Sequence, residues 1–267
     1  MLLKDNQIEK FLRTDDGQNI AVRHTKIGSK QVVLVLPGFF QSKNTLTFRL
    51  IESLLCSQGF DVISIDFRGH GDSSGFYTFS AKENFDLRAV IDYAEGNYSN
   101  IIALGFSLGG AIAIIEQAQK QKLDGLICVG SPRDFRKIEM QWWRLSAMQC
   151  QRRSLERGVG CRIGPIWYHK KKAIDCILNL GDAPILMLHG TKDRIVFKQH
   201  SQSLYAKANG LKQIKLIDGG SHAEDLFRTH PEEMIKIITN WIHKQVDHKR
   251  NGAQAHMMDE KLGKVGK

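Results

Sequence analysis

Ser107 stands between two glycines, Gly105 and Gly109, in the stretch Ala103–Ala113, with an apolar run before it and a small-residue, helix-forming run after it. A serine hydroxyl is a poor nucleophile while it keeps its proton, so a reactive serine must be exposed on the backbone and supplied with a base. A sharp strand-to-helix turn achieves the exposure. It holds the serine in a strained conformation, and glycine two residues to either side removes side chains that would collide in the bend. The helix that follows aims its first N–H groups and its positive dipole end at the same spot. A lone Gly-x-Ser-x-Gly also fits an ordinary turn, where both residue types are common.

The base and its orienter are sought further along the chain. One apolar run leads through His189-Gly190 to Asp193, and the next leads through Gly219-Gly220 to His222. Each polar residue stands just past an apolar run, as Ser107 does. A histidine base needs a partner that holds its tautomer. Read alone, Asp193 fits a turn or helix-cap aspartate, and His222 is one of ten histidines. Read together, Ser107, Asp193 and His222 form the expected catalytic set of nucleophile, orienter and base. The chemistry also needs N–H donors aimed where negative charge develops. Leu108, directly after the serine, is one candidate. Phe39, after Pro37-Gly38, is the other, with Phe40 as its alternative. The rings of Phe39 and Phe40 also read as apolar walls, and Phe40 is a candidate substrate contact.

These residues need a scaffold with several loops at one edge. Val32–Leu36, Val62–Ile65, Ile101–Leu104, Leu126–Val129, Ile185–Leu188 and Ile214–Ile217 are apolar runs that suit central strands of a parallel sheet. Helical spacing lies between or after them at Leu46–Leu55, Glu83–Tyr93, Leu108–Gln119, Gln199–Ala208 and Glu232–Ile242. Glu9–Arg13 and Ile20–Lys26 read as a hairpin turned at Asp15-Asp16-Gly17. The alternation predicts an α/β fold with a mostly parallel central sheet flanked by helices.

With 267 residues, the chain is long enough for one sizeable core, and 42% hydrophobic and 25% charged residues suit a globular protein. No apolar run reaches a membrane span, and the first residues lack the pattern of a signal peptide. Cys56, Cys128, Cys150, Cys161 and Cys176 form no Cys-x-x-Cys pair. The expectation is a cytoplasmic protein with incidental thiols, no structural disulfide and no zinc site. The net charge is +10. Eleven Lys/Arg against three Asp/Glu lie between Arg133 and Lys172, so a net +8 sits in that segment. It is long for a connection and reads as an inserted cap over 133–172, dividing the core into 1–132 and 173–246. Residues 247–267 read as a frayed tail. Trp142 and Trp143, beside Arg144, are candidate substrate contacts. An apolar surface edged by positive charge suits an anionic acyl substrate or weak contact with an anionic membrane surface. A solvated basic face is the competing reading. No nucleic-acid recognition motif accompanies the charge.

On these residues the chain resembles the α/β-hydrolase superfamily, in its serine-hydrolase branch of lipases, esterases and serine aminopeptidase-like proteins. The resemblance spans about Gly17 to Trp241. It includes the Ser…Asp…His order and Asp66–Ser73, which is similar to the family's Asp-x-Arg-Gly-x-Gly-x-Ser loop. It implies an α/β-hydrolase fold, triad roles for Ser107, Asp193 and His222, and a mainly structural role for Asp66–Ser73. Many relatives carry His-Gly at the oxyanion loop where this chain has Pro37-Gly38. The expected activity is hydrolysis of a small acyl ester or thioester through an acyl-enzyme, with no metal or organic cofactor. Acyl transfer on the same triad, and a non-catalytic binding protein on the same fold, are the alternatives.

Overall fold

The computed structural model describes residues 6–138, 160–165 and 167–245. The strands are β1 (Gln7–Arg13), β2 (Asn19–Thr25), β3 (Gln31–Leu36), β4 (Asp61–Ile65), β5 (Asn100–Phe106), β6 (Gly125–Val129), β7 (Ile185–Gly190) and β8 (Lys212–Ile217). They form one sheet in the order β1-β2-β4-β3-β5-β6-β7-β8. The hairpin β1–β2 and the β2–β4 pair are antiparallel, and every pairing from β4 to β8 is parallel. This is the α/β-hydrolase architecture that the sequence resembles.

Strand alternation explains why the central runs are apolar throughout. Val32, Leu34 and Leu36 of β3 point into one core, and Val33 and Val35 into the other. The first core lies against α2 (Glu83–Glu95) and α3 (Leu108–Lys120). The second lies against α1 (Leu46–Ser57) and a helix over 231–245, which supplies Met234, Ile238 and Trp241. A strand covered on both faces has no polar side to show.

β8 departs from that reading. It is an edge strand, and Lys215 and Leu216 on it are exposed. Only its inner side is paired, and lysines along an open edge discourage pairing with another chain.

The parallel register sets the site. Leu36 pairs with Gly105, Phe106 with Val129, and Gly190 with Ile217, so β3, β5, β6, β7 and β8 end along one line. The loops leaving that line carry Phe39, Ser107, Asp193 and His222.

The segment between β6 and β7 is described only at its ends. It leaves through one 3-10 turn, Phe135–Lys137, whose first N–H groups are capped by Asp134. It returns as a strap. Arg162 N–H donates to Gly69 O at 2.7 Å, and Tyr77 N–H donates to Arg162 O at 2.8 Å. The chain then enters α4 (Ala173–Cys176). Trp142, Trp143 and most of the proposed cap, like the tail over 247–267, lie outside the described residues. Cys56, Cys128, Cys161 and Cys176 are free thiols. Among the described residues no helix is long and apolar enough to cross a membrane.

Candidate active site

Ser107 joins β5 to α3 with φ 48° and ψ −109°, a conformation rarely held by a residue with a side chain. Such strain costs on the order of 1–3 kcal/mol and persists only where its surroundings impose it. They do so here. The Ser107 N–H donates to Val129 O at 2.8 Å, tying the turn to the end of β6. A side chain at Gly105 would stand 2.3 Å from Gly110 N, and one at Gly109 would stand 2.1 Å from Leu36 O. Both flanking glycines are therefore demanded by backbone approaching backbone. Gly110 is equally constrained, because its side chain would overlap the Ser131 hydroxyl.

Asp193 and His222 leave β7 and β8 and meet. His222 Nδ1 lies 2.6 Å from Asp193 Oδ2. Asp193 Oδ1 accepts the N–H groups of Ile195 and Val196, both at 2.9 Å, so the carboxylate cannot rotate. Glycines again allow the approach. A side chain at Gly190 would stand 2.3 Å from the carbonyl oxygens of both Gly220 and Ser221. Lys192 N–H donates to Gly220 O at 2.9 Å across the same gap. The residue after His222, Ala223, is buried at φ 39° and packs on Gly130, whose side chain would stand 3.1 Å from Ala223 N. Val129 and Gly130 thus touch the serine's turn on one side and the histidine's loop on the other.

The electrostatics agree with a charge-balanced pair. Burial alone would raise the Asp193 carboxyl. The positive charge that His222 can carry, with hydrogen bonds from His189 and His222, outweighs burial and holds it well below the usual carboxylate range. Burial disfavours a charged His222, yet the adjacent Asp193 carboxylate, helped by Glu224 and Asp225, raises the imidazole above its ordinary value.

The loop after β3 closes on the serine. A side chain at Gly38 would stand 3.3 Å from Ser107 Cβ, a tight contact that the glycine of the Pro37-Gly38 pair avoids. Among the described residues the N–H groups of Phe39 and Leu108 have no hydrogen-bond partner. The alternative donor does not hold: the Phe40 N–H is spent on His70 Nε2 at 3.2 Å. Phe40 itself is exposed at φ 67°. His70 Nδ1 lies 3.1 Å from Arg68 O, which fixes the proton on Nδ1 and leaves Nε2 to accept. Burial pushes His70 down to about 4, so it stays neutral and able to accept. The half-buried Phe39 ring packs on Phe40, Tyr77, Phe79 and His70, forming one aromatic wall.

Three residues near the site escaped the sequence reading. His189, fully buried, sits 3.2 Å from Asp193 Oδ2 and 2.7 Å from Val196 O through Nε2. Its signal was the His-Gly pair ending an apolar run, four residues before the carboxylate. His70 lay inside Asp66–Ser73, and nothing in the spacing linked it to the loop after β3. Glu224 follows His222 by two residues, and its Oε2 would stand 3.9 Å from a side chain at Gly38. Trp142 and Trp143 cannot be related to the site, since they fall outside the described residues.

Known proteins extend this picture. YfhR, an uncharacterized protein of Escherichia coli O157:H7, is 24% identical over 206 residues, which is 73% of this chain and 66% of YfhR. The chain thus spans just under two thirds of that relative's length. YtmA of Bacillus subtilis (strain 168), named an uncharacterized peptidase, is 25% identical over 245 residues, covering 85% of this chain and 84% of YtmA. The Pyrococcus furiosus esterase Pf2001 superposes with a TM-score of 0.72 at 19% identity, over 89% of this chain and 92% of its own, a likeness of fold. Residues 32–173, from β3 through the Ser107 turn and past β6, match the Alpha/beta hydrolase family, and the chain belongs to that family.

Proposed function

We propose that this protein hydrolyses an acyl ester or thioester through Ser107, His222 and Asp193. The observation that carries the reading is the pairing of a strained serine at a strand-to-helix turn with a 2.6 Å His222–Asp193 contact on the neighbouring loops. Asp193 occupies Nδ1 of His222, which leaves Nε2 to serve Ser107. Nε2 takes the hydroxyl proton as Ser107 Oγ bonds to the acyl carbon, and the carbonyl electrons move onto oxygen. The N–H groups of Phe39 and Leu108 receive that oxyanion, each such donor being worth roughly 10²–10³ in rate. Collapse expels the leaving group, which takes the proton from Nε2. Water then attacks the acyl-enzyme with the same histidine as base, releasing the acid and restoring Ser107.

The naming of Pf2001 as an esterase supports acyl chemistry on this fold, and that of YtmA as a peptidase leaves amides within the substrate range to be tested. The experiment is hydrolysis of phenyl butanoate by the wild-type protein, Ser107→Ala and His222→Ala. Both variants are expected to lose activity by on the order of 10⁴-fold or more, and their losses are not expected to add. Retention of most activity by Ser107→Ala would refute the assignment.

A further inference from the structure

Glu224 is an ionisable group close to Ser107 that the proposed mechanism does not use. It lies just before the short helix Asp225–Thr229 and is half-buried. The point where a Gly38 side chain would begin is 3.3 Å from Ser107 Cβ and 3.9 Å from Glu224 Oε2, so the carboxylate lies at most about 7 Å from Ser107 Cβ.

Its neighbours give it no structural task. Asp193 is held by two backbone N–H groups and His222, and Asp225 is paired with Arg228 at 3.0 Å. The Glu224 carboxylate forms no ion pair with lysine, arginine or histidine among the described residues, and its hydrogen bonding there is confined to the residue's own backbone N–H. The titratable groups facing it are His222, Asp193 and Asp225. Two of these are acids. Withdrawing a carboxylate from water without a counter-ion is costly, and the cost is recovered when a cation arrives. Burial, with Asp225 and Asp193, raises its carboxyl, which His222 opposes.

Resting on the hydrolase reading above, we propose that Glu224 is a specificity-determining carboxylate that receives a positively charged amino group on the substrate. That bound on its distance from Ser107 keeps a charge-assisted contact to the amino group within a few bonds of the scissile carbonyl. The favoured substrates are thus acyl esters or amides with an amine close to the carbonyl. Anionic groups, which the basic insertion suits, would have to lie farther out.

The test compares two phenyl esters of matched shape, β-alanyl and butanoyl, which differ by an ammonium in place of a methyl group. The ratio of their kcat/KM values cancels whatever a change does to Ser107 or His222 in common. The wild-type protein is expected to favour the β-alanyl ester by at least about tenfold, a typical effect for a hydrogen bond to a charged group. Glu224→Gln is expected to bring the ratio to about 1, mainly through KM for the β-alanyl ester. The wild-type ratio is also expected to fall as pH is lowered and Glu224, whose carboxyl burial raises, takes up its proton. That second measurement decides alone if the glutamine variant does not fold. A ratio unchanged by Glu224→Gln, one flat with pH, or a wild-type preference for the butanoyl ester would overturn the proposal while Ser107-dependent hydrolysis of phenyl butanoate left the parent reading intact. Absence of Ser107-dependent hydrolysis of either ester would overturn both.

Discussion

Around His222, charge and burial pull in opposite directions. In the proposed mechanism acylation needs the neutral imidazole, so kcat/KM is expected to rise with pH as His222 loses its proton. Because Asp193 raises that group above its ordinary value, the midpoint of the acid limb is expected above about 6.5. Asp193→Asn removes the charge that raises it. The limb should then move to lower pH, while activity falls by on the order of 10³–10⁴-fold through loss of the correct tautomer. A profile of kcat/KM against pH for both proteins checks this, and a limb that stays in place in the variant would contradict the electrostatic role of Asp193. The candidate residues Ser107, Asp193 and His222 stood out in the sequence because each follows its own apolar run. His189 and Glu224 did not, since their closeness to the site depends on which loops meet.

The elements contribute mainly by ending together and approaching closely. The strands were readable from apolar runs, and the flanking glycines of Ser107 from their spacing. Gly190 and Gly220 were quoted only as turn residues, because sequence does not show that two loops cross at backbone contact. That contact makes a prediction. Gly190 has ordinary backbone angles, so replacing it fails on space alone: Gly190→Ala forces the new methyl group against two carbonyl oxygens 2.3 Å away. The loops must part, and a loss of several kcal/mol is expected, toward the upper end for single substitutions. Gly96 is the contrast. It is helix-like at φ −72° with nothing within 4 Å of an added methyl group. Gly96→Ala should be neutral or stabilising by about 0.4–1 kcal/mol. Thermal or denaturant unfolding of the two variants checks the pair. Equal stability would show that the β7 and β8 loops do not touch as described.

At the scale of the whole molecule, the sheet was the most legible part and the basic insertion the least. A central parallel sheet announces itself because burial on both faces leaves only apolar positions, whereas β8 mixes lysines with isoleucine as an edge strand must. The charge of the insertion says less, because charge counts do not reveal partners. At its described ends much of that charge is engaged by neighbouring groups. Arg162 bonds to Gly75 O and Ser73 O, and Lys171 Nζ donates to Asn84 Oδ1 at 2.8 Å. Lys170 lies 4.9 Å from the Phe79 ring centre, and Lys172 is 3.7 Å from Asp175. Replacing Lys170, Lys171 and Lys172 together by glutamine is therefore expected to lower stability by on the order of 1–2 kcal/mol, summing two cation–π contacts, one hydrogen bond and weak ion pairs. The kcat/KM for the neutral butanoyl ester should change less than about twofold, since ion pairs this exposed act weakly and locally. Unfolding curves and ester kinetics on the triple variant test this, and a large loss of activity at unchanged stability would instead make the cluster part of substrate recognition.

In the proposed mechanism the sheet, the glycine contacts and the histidine–aspartate pair serve one oxygen atom, Ser107 Oγ. The most direct measurement is covalent labelling with a fluorophosphonate, followed by mass spectrometry of the digested protein. One adduct is predicted, on the peptide carrying Ser107. It should disappear in Ser107→Ala, and its formation in His222→Ala should slow by on the order of 10³-fold or more, because the base is needed to activate the hydroxyl. Failure of the native protein to react, or reaction at another residue with Ser107 untouched, would contradict the account.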